Sequence, residues 1–149
     1  MMLDRLTELA AAGEWSAALA LVIEDIKADS GTIHLMGPDG QLHLQCASAG
    51  IPPHVLDIVR VVPVGKGMAG LAAERREPVS ICNIQTDTSG DVRAGARATG
   101  LEGAIALPML SGDRVAGVLG VANRAARTFT SGETDGLLEI GRTLARIAG

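Results

Sequence analysis

Residues 104–123 read AIALPMLSGDRVAGVLGVAN. Ala104 to Leu110 and Arg114 to Asn123 are apolar almost throughout, and Ser111-Gly112-Asp113 between them is turn chemistry. Side chains alternate between the faces of a strand, so an unbroken apolar run implies cover on both faces. This stretch is therefore predicted to be an antiparallel hairpin at the centre of a sheet, with the other elements arranged around it.

Downstream, Thr130-Ser131-Gly132-Glu133 is a capping-box pattern. It opens a helix with Leu137, Ile140, Leu144, Ile147 and Ala148 on one stripe and Asp135, Glu139, Arg142 and Arg146 on the wetter side. Upstream, Val79 to Cys82 reads as a short strand and Met68 to Arg76 as a helix ended by Pro78. Gly65-Lys66-Gly67 is a turn after a strand from Val61 to Val64, and Pro52-Pro53 starts a short helix running to about Ile58. Residues 83–103 carry no clear period, and a segment of that length in a compact domain is usually functional; Asp91 to Ala98 is its candidate helix.

A second hairpin is predicted nearer the N-terminus. Thr32 to Met36 and Gln41 to Ala47 flank Gly37-Pro38-Asp39-Gly40. A four-residue loop would pair Leu35 with Leu42, Ile33 with Leu44 and His34 with His43, leaving one face apolar and the other polar. Two helices precede it, over 2–12 and from Ser16 to Lys27, the second ended by Asp29-Ser30-Gly31.

Composition limits the function. The 149 residues are 47% hydrophobic and 20% charged, the balance of a globular domain. Stacking platforms for bases or flat heterocycles are missing, since the chain has one Phe (Phe129), one Trp (Trp15) and no Tyr. A net charge of −4 offers nothing to a phosphate backbone or an anionic bilayer, so neither nucleic acid nor membrane is an expected partner. Cys46 and Cys82 lie far apart in the sequence with no zinc spacing around them, which fits two unpaired thiols in a reducing cytoplasm. The N-terminal run Met1-Met2-Leu3-Asp4-Arg5 has no leader character.

The order of elements resembles the GAF family, and four strings carry the likeness. Ala28-Asp29-Ser30-Gly31-Thr32 resembles the entry to its first strand, and Val62-Pro63-Val64-Gly65-Lys66-Gly67-Met68-Ala69-Gly70 its strand-to-helix turn. Ile105 to Met109 followed by Val115 to Leu119 resembles its central hairpin. Asn123-Arg124 with Phe129-Thr130 through Asp135 resembles its closing signature, with Arg in place of Lys and no Glu after Asp135. The resemblance covers about residues 15–147, with an extra helix at 2–12. It implies an α+β, PAS-related fold: a central antiparallel sheet with terminal helices on one face and a ligand pocket under loops and short helices on the other. One fold serves many functions, so the ligand stays open.

Several chemistries are open to these residues. His34 and His43, facing each other in the expected hairpin, would need His54 as a third ligand to hold a metal, so no metal is expected. Arg93 and Arg97, one helical turn apart near Thr86 and Asp87, could present a cationic fork to an anion. The resemblance also includes an enzymatic branch, the free methionine sulfoxide reductases; their catalytic cysteines fall on Val59, Ala69 and Arg97 here, so no catalytic residue is expected. The function expected is a sensory or regulatory module that binds a small molecule or anion, needs no cofactor and signals through a partner protein. Its expected ligand-binding residues are His34, Met36, Met68, Ile84, Thr86, Asp87, Arg93, Arg97 and Leu101. An interaction module with no ligand is the alternative, and thiol redox chemistry a distant third. A homodimer through the terminal helices is expected, because Leu3, Leu6, Leu9 and Trp15 exceed what one sheet face can cover.

Overall fold

The hairpin at 104–123 forms as predicted, and its register organises the molecule. The computed structural model describes residues 2–92, 97 and 99–148. In chain order the elements are α1 (Met2–Ala11), α2 (Trp15–Ile26), β1 (Ser30–Met36), β2 (Leu42–Ala47), α3 (Pro53–Val59), β3 (Val61–Val62), α4 (Gly67–Arg75), β4 (Val79–Ile81), β5 (Gly103–Ser111), β6 (Arg114–Asn123) and α5 (Ser131–Ala148). The strands make one six-stranded sheet in the order β3-β2-β1-β6-β5-β4, with every neighbouring pair antiparallel. The candidate helix from Asp91 to Ala98 falls largely outside the described residues.

The two faces of β5 and β6 are not equivalent. Cross-strand partners share a face, so Ile105 lies beside Val121 and Leu107 beside Leu119. These side chains and Met109 are buried against Leu6, Leu19, Val22, Leu137, Ile140 and Leu144 of the three long helices. The opposite face carries Ala104 beside Ala122 and Ala106 beside Gly120. One face of the sheet is thus built from large residues and the other, at the same register, from small ones.

The terminal helix starts as its capping box requires: Thr130 Oγ1 accepts from the Glu133 amide at 3.1 Å, and Glu133 Oε1 accepts from the Thr130 amide at 2.9 Å. Glu133 also accepts from Arg127 Nη2 at 2.6 Å, while Arg127 Nη1 donates to Asn123 Oδ1 at 2.9 Å and its guanidinium lies 4.2 Å from the Phe129 ring centre. The closing Asn…Phe…Glu residues are therefore a clamp between β6 and α5.

Three expectations need correction. The first hairpin has a three-residue loop: the Gly37 amide donates to the Gln41 carbonyl at 2.8 Å, the Gly40 amide donates to the Gly37 carbonyl at 3.0 Å, and Gly40 takes φ +75°. This is a type I turn followed by a left-handed glycine, and it moves the pairing by one residue. Leu35 faces His43, His34 faces Leu44, and a bulge beyond Ile33 pairs that residue with Cys46. His34, expected on the polar face of the hairpin, is 3% exposed, because α3 lies over that face and its Val59 carbonyl is 2.8 Å from His34 Nε2. The strand expected at Val61 to Val64 stops at Val62, since the chain turns at Pro63 and Val64 is exposed.

The apolar surplus behind the dimer expectation is absorbed within the protomer. Packing of α1 against α2 and α5 leaves Leu6, Leu9 and Trp15 at 0%, 6% and 9% exposure, and only Leu3 remains open at 36%. Among the described residues no helix is long and apolar enough to cross a membrane.

Candidate functional site

The small-residue face of the sheet does not collapse onto its cover. Above it lies a cavity of about 190 Å³, floored by Thr32, Ala104, Ala106, Gly120 and Ala122. Val55, Ile58 and Val59 of α3 form one wall, and Met68 and Ala69 of α4 a second. Ile84 and Leu101, from the segments flanking the long loop, line a further side, with exposed Lys66 at the rim. A side chain two or three carbons longer at Ala104 or Ala122 would occupy this space. The volume is a direct consequence of which residue sizes fall on the even positions of β5 and β6.

Backbone geometry holds the walls in place. Gly65 and Gly67 take φ +91° and +66°, and a Cβ on Gly70 would press on the Pro63 carbonyl oxygen. The Gly65 amide is already bound to the Gly70 carbonyl at 2.8 Å and the Lys66 amide to the Pro63 carbonyl at 3.2 Å. The glycines of this turn therefore bring α4 close to the sheet. On the other side the Ile84 amide donates to the Glu102 carbonyl at 2.7 Å, and Gln85 Nε2 donates to the Leu101 carbonyl at 2.8 Å, fixing Ile84 beside Leu101.

His34 links floor to wall. Its Nε2 lies 2.8 Å from the carbonyl oxygen of Val59, at the end of α3. A carbonyl only accepts, so Nε2 carries the hydrogen and Nδ1 is left with a bare lone pair. Nδ1 is buried and has no partner among the described residues. Burial holds the imidazole pKa below its ordinary value of 6.5; the Val59 carbonyl opposes this, and the nearby His43 adds a smaller downward push. The ring is therefore neutral near pH 7.

The sign of that shift gives a stability prediction. Below about pH 6.5 the unfolded chain takes up a proton at His34 that the folded ring resists, so stability present at neutral pH falls as the pH drops toward the lowered native value. Thermal melts from pH 7.5 to 5 should show this slope, and His34→Gln, which keeps a donor for Val59, should flatten it. His43 and His54 are common to both proteins and cancel in the comparison. Parallel slopes would show that His34 is not held neutral.

The sequence-derived site residues separate into two groups. His34, Met68, Ile84 and Leu101 line the cavity. Met36 does not; it packs beside Leu42 and Val62. Thr86 is exposed, and Asp87 turns back on its own loop, its Oδ2 accepting from Ser89 Oγ at 2.6 Å. Arg97 is exposed and its Nη2 donates to the Asp87 carbonyl at 2.7 Å, so the guanidinium is directed at the loop backbone. Arg93 lies outside the described residues.

The facing pair of histidines is also corrected. His34 and His43 occupy successive registers on opposite faces of the hairpin, His43 binds Asp39 at 2.9 Å, and His54 is exposed on α3. The cavity residues that sequence reasoning missed include the α3 wall of Val55, Ile58 and Val59, together with the floor alanines and Gly120 on β5 and β6. The signal for the floor residues was present as a large–small alternation within 104–107 and 119–122, hidden because all of these residues are apolar.

A GAF domain family model matches residues 16–147 of the chain. No curated protein matches it in sequence. Among solved structures, the GAF domain of a phosphoenolpyruvate-protein phosphotransferase from Acinetobacter is similar with a TM-score of 0.77 at 17% identity, over 99% of this chain and 90% of that one. Free methionine-R-sulfoxide reductase from Neisseria meningitidis, solved with its substrate, gives 0.76 at 19% identity, over 99% and 86%. A domain of a protein assigned as a two-component sensor histidine kinase from Sinorhizobium meliloti gives 0.70 at 18% identity, over 89% and 86%. At these identities the likeness is one of fold.

Proposed function

Because the chain belongs to the GAF domain family, we propose that it is a sensory or regulatory module of signal transduction that holds one small molecule over its sheet and catalyses no reaction. The observation that carries this reading is the cavity of about 190 Å³ between the small-residue floor and the α3–α4 cover. The cavity is concave and mainly apolar with a few polar groups in its lining, the character of small-molecule sites. An engineered apolar cavity of about 150 Å³ accepts benzene, which sets the scale of the occupant.

A non-catalytic role is supported by the thiols. At the positions the reductase resemblance marks as cysteines, Val59 and Ala69 border the cavity and Arg97 is exposed. Cys46 is on the other side of the sheet, buried with Ile33 and the helices, and burial pushes its thiol up to about 11. A thiol that stays protonated is a poor nucleophile. Cys82 is exposed beyond β4 and does not line the cavity. Two unpaired cysteines suit a reducing compartment such as the cytoplasm. The anion reading loses support, because Arg97 is engaged elsewhere and the cavity wall is almost wholly apolar.

Native mass spectrometry of freshly purified protein tests the proposal. The expected spectrum contains a species heavier than the chain by one small molecule, lost on denaturation. A mass equal to the bare chain, together with no uptake of small apolar probes, would favour a module that acts through protein contacts alone.

A further inference from the structure

The floor of the cavity is built in cross-strand rows. Thr32 of β1 lies beside Gly120 of β6, which lies beside Ala106 of β5; the next row is Ser30, Ala122 and Ala104. The polar side chains of the floor come from β1, at Ser30, Thr32 and His34. Two of them are spoken for. Ser30 Oγ lies 3.1 Å from Ser48 Oγ, and His34 has Nε2 on the Val59 carbonyl and Nδ1 sealed off by burial. Thr99, also in the lining, accepts from the Leu101 amide at 3.1 Å.

The Thr32 hydroxyl differs. Thr32 is half-buried, and its Oγ1 makes no hydrogen bond among the described residues. That oxygen is open and not sealed, since the buried side-chain polar atom without a partner among the described residues is His34 Nδ1. Gly120 keeps it open. The backbone there does not adopt the left-handed conformation that calls for glycine, and a Cβ would meet a single neighbour within 4 Å, Thr32 Oγ1 at 3.2 Å. Glycine weakens a strand interior and marks where a backbone or a ligand comes close. No backbone crowds this position, so what the missing side chain leaves is room beside the hydroxyl.

Charge narrows the occupant further. Among the described residues the lining carries no carboxylate, and its ammonium group, that of Lys66, is exposed at the rim. A charged group on the floor would lose its hydration without a counter-charge. We infer that the cavity selects an uncharged, mainly apolar molecule of about six to ten non-hydrogen atoms with one polar group, which forms a hydrogen bond with the Thr32 hydroxyl beside Gly120. A hydroxyl both donates and accepts, so an alcohol, a phenol or a carbonyl compound meets the requirement. The inference rests on the reading of the cavity as a ligand site and adds the chemical class of the ligand and its anchor.

Toluene, m-cresol, p-cresol and p-toluate serve as probes because they share one apolar body. Thr32→Val keeps the shape of the side chain and removes the hydroxyl. Calorimetry should show the better-bound cresol gaining over toluene by about fivefold to tenfold more in the wild type than in Thr32→Val, the worth of one hydrogen bond. p-Toluate should bind more weakly than either cresol. Tighter binding of p-toluate would mean that Lys66 and the first turn of α4 hold an anion, and would overturn the neutral class. Should the variant fail to fold, nuclear Overhauser contacts in the wild-type protein carry the test: the ring protons beside the cresol oxygen should contact the Thr32 methyl group. Contacts from the cresol methyl in their place, or an equal preference in the two proteins, would overturn this inference and leave the ligand site standing. If no probe enters, the ligand site and the inference fall together.

Discussion

Gly117→Ala is expected to destabilise the protein by about 3 kcal/mol or more, the upper end of overpacking costs. Gly117 lies in β6 between Met109 of β5 and Leu35 of β1. A Cβ there would press directly on the His34 carbonyl oxygen, with the His34 carbonyl carbon and the Leu35 Cα both at 3.2 Å. These are backbone atoms of a strand paired on both sides, and His34 is further tied to α3. Neither strand can move away without breaking its ladder. For a domain of this size the loss corresponds to a fall in Tm of about 6–12 °C. Gly112→Ala is the matched control: its φ of +63° penalises any side chain, but a Cβ there meets nothing within 4 Å. That variant should lose only about 1–2 kcal/mol. Equal melting temperatures for the two variants would show that the close approach of β6 to β1 does not constrain the sheet.

The second large effect concerns binding and should leave the fold in place. Ala104→Leu adds three carbons to the cavity floor between Ile84 and Ala122. Filling a void restores contacts that the empty cavity lacks, so the change in Tm should be small and of either sign, within about 1.5 kcal/mol. Occupancy of the same space by a side chain and a ligand is mutually exclusive. Affinity for a small apolar probe such as toluene, or for whatever molecule co-purifies, should fall by about a hundredfold or more, a loss of roughly 2.7 kcal/mol. Calorimetry and native mass spectrometry on the variant measure this directly. Undiminished affinity in a folded Ala104→Leu protein would place the ligand elsewhere and refute the cavity as the site.

Much of the architecture follows from local chemistry in the chain. The turn at Ser111-Gly112-Asp113, the box at Thr130 to Glu133 and the helical stripes of α2 and α5 are each decided within a few residues, because capping and periodicity act over one or two turns of chain. The strings from Val62 to Gly70 and from Asn123 to Asp135 added the family and so the layer order. Of the candidate site, His34, Met68, Ile84 and Leu101 could be named from the sequence.

What required the tertiary structure was register and the space it leaves. One residue fewer in the loop at Pro38-Asp39-Gly40 separated His34 from His43, and the docking of α3 over the sheet buried His34. The cavity depends on Ala104, Ala106, Gly120 and Ala122 meeting across two strands, and no property of any one of them in sequence reports that meeting. The same holds for Nδ1 of His34, whose lack of a donor is a fact about every element packed around it. Chain-local forces decided which elements form and in what order; the shape and polarity of the void between them were decided by side chains distant in sequence, brought together only when the sheet closed.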